Sequence, residues 1–238
     1  MANDYFNFRE FTVYHDQCAM KVGTDAVLIG AWTDLGCSRR ILDIGTGTGI
    51  IALMCAQRCG ASIVAVDIDE GAVRQARSNV AASPWGDRIE VMHGDITRLA
   101  QGVEFQHQFD TLISNPPYFQ EQVKCPEAQR NMARHTDSLT FDELLGAAEC
   151  LLCDGGTLSV VLPAAAAADF ITLALRHGLY LCRQTWVHTK VGKVAKRVLM
   201  CFMNGVVGAT VSGHLNMRDV NGVVDEEYRR LTEEFYLF

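Results

Sequence analysis

Short apolar runs alternate with helical patterns from residue 40 almost to the end of the chain, and this alternation predicts the fold. Strands are predicted where such runs stand between polar residues or turn residues. The predicted strands are 41–44, 63–67, 88–93, 109–114, 157–162, 179–188 and 197–203. Four helices are predicted between these strands. The first ends near residue 58, the next two span 70–82 and 140–153, and the fourth ends near residue 177. This order is typical of an α/β fold with a mainly parallel seven-stranded sheet and helices on both of its faces.

Residues 1–39 precede the alternating region and are expected to pack on it as an N-terminal extension. The segment 6–13 is aromatic and extended, which favours a strand or a hairpin. The segment 26–32 is predicted to be a helix that is capped by Thr24 or Asp25. Because 238 residues suit one α/β domain, the whole chain is predicted to form a single domain with its core at 40–238.

Composition limits the classes of protein to which the chain can belong. Nearly half of the residues are hydrophobic, yet no apolar run reaches the length of about 18 residues that a membrane span needs. The N-terminus lacks the order of a secretion signal, so we expect a cytoplasmic protein with no membrane partner. The nine cysteines form one CxxC pair, Cys150 and Cys153, whereas a structural zinc site needs a second pair of ligands. No metal is therefore expected.

A glycine-rich turn follows the first strand of the alternating region. Residues 43–49 read Asp-Ile-Gly-Thr-Gly-Thr-Gly, and glycine lets the backbone turn sharply and approach a ligand closely. A dinucleotide-binding loop has its third glycine one residue later than this chain does. The spacing instead resembles the DxGxGxG loop of S-adenosylmethionine-dependent methyltransferases. The resemblance implies S-adenosylmethionine as the cofactor, with contacts from Asp43, Gly45, Thr46, Gly47 and Gly49.

Acidic residues stand at the ends of the next two predicted strands. Asp67 is placed where α/β folds bind the ribose of a nucleotide, so its two oxygens are expected to accept both ribose hydroxyls. Asp95 is expected to accept a hydrogen bond from the adenine amino group of the cofactor, while Asp69 is interpreted as the cap of the next helix. Their neighbours Ile68 and Ile96 complete the predicted cofactor site.

The sequence Asn115-Pro116-Pro117-Tyr118 after the fourth strand is the sharpest chemical signal in the chain. Two prolines cannot continue a central strand, so the segment is predicted to leave the sheet as a rigid turn beside the cofactor. A planar exocyclic amine is a poor nucleophile, but hydrogen bonds from its N–H groups to the Asn115 side chain and the Pro116 carbonyl would free its lone pair. Tyr118 offers a face on which a base can stack. We predict that all four residues are catalytic and that Asn115 also contacts the cofactor.

These motifs resemble those of a known family. The glycine loop and the Asn-Pro-Pro-Tyr sequence are similar to those of class I amino-methyltransferases, which have a Rossmann-like fold. Three further stretches, 11–28, 133–139 and 231–237, resemble the tRNA(Val) adenine-N6 methyltransferase family. The resemblance implies methylation of adenine 37, beside the anticodon of a valine tRNA. It also implies that Lys21, Thr24 and Asp25 lie near the methionine end of the cofactor.

Contacts to the anticodon loop of the tRNA are expected from basic residues in two segments. The polar loop 120–137 contains Arg130, Arg134 and His135, and a stretch between the last two strands contains Lys190, Lys193, Lys196 and Arg197. The second group is predicted to lie at the same end of the sheet as the active site. A solvated hairpin is the alternative interpretation, since a net charge of −7 at pH 7 is not typical of an RNA-binding protein.

Other functions stay open on the sequence alone. A protein glutamine-N5 methyltransferase uses the same four-residue motif, although such enzymes carry a larger helical domain before the glycine loop. A DNA or ribosomal RNA adenine-N6 methyltransferase also fits the motifs. A catalytically silent binding module would not need Asn115 and Tyr118, and an NAD-dependent oxidoreductase disagrees with the glycine spacing. The protein is expected to be a monomer.

Overall fold

The computed structural model describes residues 3–18, 21–117 and 139–237. The strands are β1 Tyr5–Asn7, β2 Thr12–Tyr14, β3 Arg40–Ile44, β4 Ser62–Asp67, β5 Ile89–His93, β6 Phe109–Ser114, β7 Leu152–Pro163, β8 Leu179–His188, β9 Arg197–Asn204 and β10 Val211–Asn216. The α-helices are α1 Thr24–Trp32, α2 Ile50–Arg58, α3 Glu70–Ala81, α4 Ile96–Leu99, α5 Phe141–Leu151, α6 Ala167–Arg176 and α7 Glu226–Thr232, and a 3-10 turn, Ala164–Ala166, precedes α6.

Eight strands form one sheet in the order β10-β8-β9-β7-β6-β3-β4-β5. The neighbouring strands are parallel except that β9 runs against both β7 and β8. The predicted mainly parallel sheet is therefore confirmed, but among the described residues it has eight strands and not the expected seven. The additional strand is β10, which pairs with β8 at the edge of the sheet.

Both faces of the sheet are covered by helices, which explains the continuous apolar runs of the central strands. In β3, Ile41 packs in the layer formed with α1, α2 and α3, whereas Leu42 and Ile44 pack in the layer formed with α4, α5 and α6. Successive side chains of a strand point to opposite faces, so β3 needs apolar residues on both sides. None of the helices in the described ranges has the length and apolar character needed to cross a membrane.

The N-terminal strands β1 and β2 form a separate antiparallel hairpin, one of the two forms predicted for the segment 6–13. Phe8 stacks on Phe11 with ring centroids 4.7 Å apart, and it also stacks on Tyr236 near the other end of the chain. The Asn79 side chain on α3 makes two hydrogen bonds to the backbone of Tyr14, at 2.9 and 3.0 Å. These contacts attach the hairpin and the C-terminal tail to the core.

The start of α1 differs from the prediction. The helix begins at Thr24, and its N-cap is Gly23, which makes no side-chain hydrogen bond, so the expected cap by Thr24 or Asp25 is wrong. Asp25 instead forms an ion pair with Arg197 at the start of β9, with 2.8 Å between Oδ2 and Nε. The Asp25 side chain was expected to cap α1, but through this ion pair it holds α1 to the sheet.

The region around α5 and β7 also departs from the predicted boundaries. Thr140 and Glu143 form a reciprocal capping box at the start of α5, which agrees with a helix start at residue 140. The helix ends at Leu151, and β7 begins at once with Leu152, well before the predicted start at residue 157. The register between β6 and β7 shifts in this irregular part of the strand. Neither α7 nor β10 was predicted from the sequence.

His177, which follows α6, joins α6 to α5 through two carboxylates. Its Nδ1 lies 2.9 Å from Glu149 Oε2, and its Nε2 lies 3.1 Å from Asp142 Oδ1. Burial alone would lower the pKa of His177, but the hydrogen bonds to Glu149 and Asp142 outweigh it and raise the pKa above its usual value. The imidazolium form therefore fastens both ends of α5 to the end of α6.

We predict that His177→Gln lowers the stability of the protein at acidic pH and has less effect at alkaline pH. A histidine whose pKa is raised by folding contributes stability that is complete below the unfolded pKa of about 6.5 and is lost as the pH rises through the folded pKa. The carboxylates are exposed, so the contribution is expected to stay below about 1 kcal/mol. Urea denaturation of both proteins at several pH values measures it. A stability difference that does not vary with pH would contradict this assignment.

Candidate active site

A cavity of about 350 Å³ opens at the carboxyl ends of β3, β4, β5 and β6, the edge where α/β sheets bind ligands. Ile44 pairs with Val66 and Ser114, and Asp67 pairs with His93, so the four strands end close to one level. The lining residues are Cys18, Ile44, Gly45, Gly47, Val66, Asp67, Ile68, Asp69, Ala72, Gly94, Asp95, Ile96, Thr97, Ser114, Asn115, Pro116, Pro117, Leu139 and Glu143.

The charge of the cavity wall is negative. Its four carboxylates belong to Asp67, Asp69, Asp95 and Glu143, and the described part of the wall contains no lysine, arginine or histidine. Such a wall attracts a cation and repels phosphate groups. It therefore suits the sulfonium and ammonium groups of S-adenosylmethionine better than the pyrophosphate of a dinucleotide.

Asp43 is completely buried at the end of β3, behind the cavity wall. Its Oδ2 accepts hydrogen bonds from Thr46 Oγ1 at 2.6 Å and from the Ala52 amide at 3.2 Å. The N-cap of α2, Gly49, makes no side-chain hydrogen bond, so Asp43 supplies the missing acceptor for the first turn of the helix. Its Oδ1 has no hydrogen-bond partner among the described residues. Burial, which outweighs the bonds from Thr46 and Ala52, raises the pKa of Asp43 to about 7.

Gly45, Gly47 and Gly49 of the loop all have positive φ angles, and the last two differ in the structural reason for it. Gly47, with φ 56°, lines the cavity, and a Cβ there would meet no atom within 4 Å, so a side chain would take up ligand space. Gly49, with φ 84°, does not line the cavity, and a Cβ there would lie 3.3 Å from the Cβ of Ala76 on α3. Gly47 therefore leaves space for a ligand in the cavity, whereas Gly49 allows α2 to pack closely on α3.

Asp67 connects the glycine loop to the end of β4. Its Oδ2 accepts a hydrogen bond from the Gly47 amide at 2.8 Å, and its Oδ1 accepts one from the Asp69 amide at 2.9 Å. Each carboxylate oxygen has a further lone pair, so both oxygens can also accept ribose hydroxyls. Asp69 accepts from the Ala72 amide at 2.6 Å, which confirms its predicted role as the cap of α3.

Asp95 lines the cavity and also caps α4. Its Oδ1 accepts from the amide and the hydroxyl of Thr97, at 2.8 and 2.7 Å, and its Oδ2 lies 3.9 Å from Nε of Arg98. Because the cap uses Oδ1, Oδ2 is the atom left to accept from an adenine amino group. Ile68, on the same wall, leaves 54% of its surface exposed, and a planar ring in the cavity would cover it.

Residues 115–117, the predicted turn, follow the end of β6 and line the cavity. The buried hydroxyl of Ser114 donates to the carbonyl of Ile44 at 2.9 Å, and this bond ties the end of β6 to the end of β3. The position from which the turn leaves the sheet is thereby fixed. Tyr118, the fourth residue of the motif, lies outside the described residues.

Some predicted site residues do not line the cavity. Asp43, Thr46 and Gly49 lie behind its wall, and Lys21, Thr24 and Asp25 lie just before and at the start of α1. Arg130, Arg134 and His135 lie outside the described residues. The structure thus brings together Gly45, Gly47, Asp67, Ile68, Asp95, Ile96 and Asn115 from the predicted cofactor set.

The predicted basic group lies in the loop between β8 and β9, at the same end of the sheet as the cavity. Lys190, Lys193 and Lys196 form no ion pair with any residue that the structure describes. Arg197 differs, because its guanidinium pairs with Asp25. The three lysines are therefore the cations of this group that remain for an anionic ligand.

The sequence interpretation missed Leu139 and Glu143, which line the cavity just before α5 and in its first turn. The capping-box pattern of Thr140 and Glu143 is visible in the sequence, but it indicates only where a helix begins and not which parts of the fold that helix contacts. Cys18 was also missed, although it belongs to a stretch that carried the family resemblance. Leu139 and Glu143 lie at the cavity where α5 packs on α4.

Comparison with known proteins places the chain among methyltransferases. The family model described as methyltransferase small domain matches residues 20–176. A protein of Phocaeicola vulgatus named tRNA1(Val) (adenine(37)-N6)-methyltransferase is 54% identical over 237 residues, which cover 100% of this chain and 99% of that protein. Proteins with the same name are 48% identical in Bacteroides fragilis, covering 100% and 99%, and 43% identical in Yersinia pestis, covering 98% and 93%.

Solved structures support the fold. A crystal structure from Agrobacterium tumefaciens, described as a predicted O-methyltransferase, is similar with a TM-score of 0.69 and 21% identity, over 89% of this chain and 96% of that one. A TehB-like S-adenosylmethionine-dependent methyltransferase from Corynebacterium glutamicum is similar with a TM-score of 0.50 and 18% identity, over 77% and 89%. At this level of identity the likeness shows the class I methyltransferase fold alone.

We predict that Gly47→Ala weakens S-adenosylmethionine binding by at least about tenfold, or 1.4 kcal/mol, because the new Cβ enters the cavity. Gly155→Ala is the matched control, since Gly155 also has a positive φ of 74° and open space around its Cβ but does not line the cavity. Both variants carry similar backbone strain. Titration calorimetry with S-adenosylmethionine measures the affinity, and equally weakened binding in the two variants would refute the role of Gly47 in leaving space for the cofactor.

Proposed function

We infer the function of this chain from its family: it belongs to the methyltransferase small domain family and to the tRNA1(Val) (adenine(37)-N6)-methyltransferases. The chain is an S-adenosylmethionine-dependent enzyme that methylates N6 of an adenine in RNA, and its substrate is adenine 37 of tRNA1(Val). The observation that carries this function is an Asn-Pro-Pro turn at the wall of an acidic cavity, at the carboxyl edge of a methyltransferase sheet.

The cavity fits the cofactor in shape and in charge. S-adenosylmethionine, when bound, supplies an electrophilic methyl group. Gly45 and Gly47 would leave space for its methionine part, Asp67 would accept from its ribose, and Asp95 with Ile68 would hold its adenine. The four carboxylates of the wall would favour its positive charge.

The turn 115–117 would orient the amine of the target adenine. The two N–H groups of this amine would donate to the Asn115 side-chain oxygen and to the Pro116 carbonyl. Together these hydrogen bonds would pull the planar nitrogen toward a tetrahedral geometry. The nitrogen would become cationic as it gains the methyl group and would then release its extra proton to water, so the site needs no strong base. Holding the amine close to the reactive carbon contributes roughly 7–11 kcal/mol to lowering the barrier.

The adenine must leave its stack to reach this turn, because the amine of a stacked or paired base is not accessible. We assign Tyr118 the role of a stacking face for the extruded base, worth about 1–3 kcal/mol. Contacts from Arg130, Arg134 and His135 to the anticodon loop belong to the same proposal. Lys21, Thr24 and Asp25 would lie toward the methionine end of the cofactor.

We also propose that the protein acts as a cytoplasmic monomer. The cavity wall is formed by residues of one chain in the described ranges, so no second copy is required to complete it. The tRNA and the cofactor are both present in the cytoplasm.

We predict that Asn115→Ala abolishes turnover and leaves cofactor affinity within a few-fold of its original value. The variant removes the acceptor for the amine and leaves the glycine loop and Asp67 unchanged. Asn115→Asp, which retains an acceptor oxygen, is expected to keep measurable activity. Single-turnover methylation of tRNA combined with calorimetry separates the two effects. Full activity of Asn115→Ala would refute the role assigned to Asn115.

The substrate is tested in cells. We expect tRNA from a strain that lacks this protein to lose N6-methyladenosine beside the valine anticodon, and expression of the unaltered protein to restore it. The same strain expressing Asn115→Ala serves as the control and should stay unmodified. Mass spectrometry of the purified tRNA measures the modified base. An unchanged level in the strain without the protein would rule out tRNA1(Val) as the substrate.

A further inference from the structure

The basic loop between β8 and β9 meets a second loop that follows β10. The two loops are 189–196 and 217–224, and the Val191 amide donates to the Arg218 carbonyl at 3.0 Å. Because β10 is parallel to β8, both loops lie at the carboxyl edge of the sheet. We call Lys190, Lys193, Lys196 and Arg218 the basic platform.

The basic platform is positive in a chain that is negative overall. The span 188–224 contains five lysines and arginines and a single acid, Asp219, whereas the net charge of the chain is −7 at pH 7. Three acids follow this span directly; of these, Asp225 caps α7 and Glu226 pairs with Arg230. Oδ1 of Asp219 accepts from the Asn221 and Val223 amides, so this carboxylate closes its own turn. Ion pairs to the platform residues are absent among the described residues. Unpaired cations of this kind are suited to phosphate groups.

The two loops are held in place by local hydrogen bonds. His188 Nδ1 lies 2.6 Å from the Lys193 carbonyl, and His188 Nε2 lies 3.0 Å from His214 Nδ1 on β10. Nη1 of Arg218 donates to the Gly222 carbonyl at 2.7 Å, which leaves other N–H groups of this guanidinium as donors. A surface that is ordered before binding loses less entropy when the ligand arrives.

The platform is some distance from the cavity. In the strand order, β9 is two positions and β8 three positions from β6, which carries the Asn-Pro-Pro turn, and β10 is four positions away. At about 4.8 Å for each strand, the loop 189–196 lies roughly 10–14 Å from the turn and the loop 217–224 about 19 Å from it. A single nucleotide in the cavity cannot reach across this gap, so its neighbours along the chain would contact the platform.

We propose that the basic platform binds the phosphate backbone of the RNA several nucleotides from the methylated base, in the base-paired stem that flanks the anticodon loop. The inference rests on the proposed function, because it needs an adenine of the loop to be held at the turn 115–117. Paired RNA is contacted mainly through its phosphates and its shape, which unpaired lysines and an arginine can read without base specificity.

The test compares two RNAs that carry the same target adenine: a short single-stranded oligonucleotide and the complete anticodon stem-loop. We expect Lys190→Gln/Lys193→Gln/Lys196→Gln and, separately, Arg218→Gln to raise KM for the stem-loop, by about tenfold for the triple variant. The KM for the oligonucleotide should change much less. The slope of log KM against log salt should also fall by about 0.7–0.9 for each phosphate that the variant no longer neutralises.

Arg176→Gln is the matched control, since Arg176 is exposed and ends α6 at the opposite edge of the sheet. It should leave both KM values unchanged, and thermal melting of each variant checks that it is folded. Equal rises in KM for the two RNAs would overturn the proposal, and so would no change for either. If the unaltered protein methylates neither RNA, the proposed function itself is wrong, and this result cannot be confused with the other two.

Discussion

Asp43 accepts hydrogen bonds from the Thr46 hydroxyl and the Ala52 amide with one carboxylate oxygen, and this interaction joins β3, the glycine loop and the first turn of α2. The same loop carries Gly47, whose amide donates to Asp67 at 2.8 Å in the cavity wall. Burial makes the ionised state costly and raises the pKa of Asp43 to about 7. The positive end of α2 favours the ionised form and so opposes the effect of burial.

Much of the fold and of the site follows from local sequence patterns. The strands at 109–114 and 179–188 are predicted with the observed bounds, because each is a short segment rich in apolar, aromatic and β-branched residues. The Asp69 cap is predictable for a similar reason, since it depends on neighbours in the chain. The motif residues come together at one edge because parallel strands with crossover helices must all end there.

Other features depend on tertiary packing and are not visible in the sequence. β10 contains Gly213, and three of its six residues are exposed, so its pairing with β8 stabilises it more than any intrinsic preference. The early start of β7 at Leu152 overrides the turn signal of residues 154–156, because Leu152 is fully buried and pairs with Phe109. Glu143 lines the cavity from the first turn of α5, a helix that packs on α4 and α6.

The antiparallel strand β9 allows the carboxyl edge of the sheet to carry an acidic cavity and a group of lysines at separate places. In a purely parallel sheet, the chain that leaves a strand at the carboxyl edge must return by a crossover to the opposite edge. Since β9 is antiparallel to β8, the connection 189–196 is a short loop that stays at the carboxyl edge and carries three lysines there. Parallel strands β3 to β6 supply the acidic cavity, and the mixed part of the sheet supplies the cations. The sheet order keeps the two apart, so the positive charge of the lysines does not weaken the cavity's attraction for a cationic cofactor.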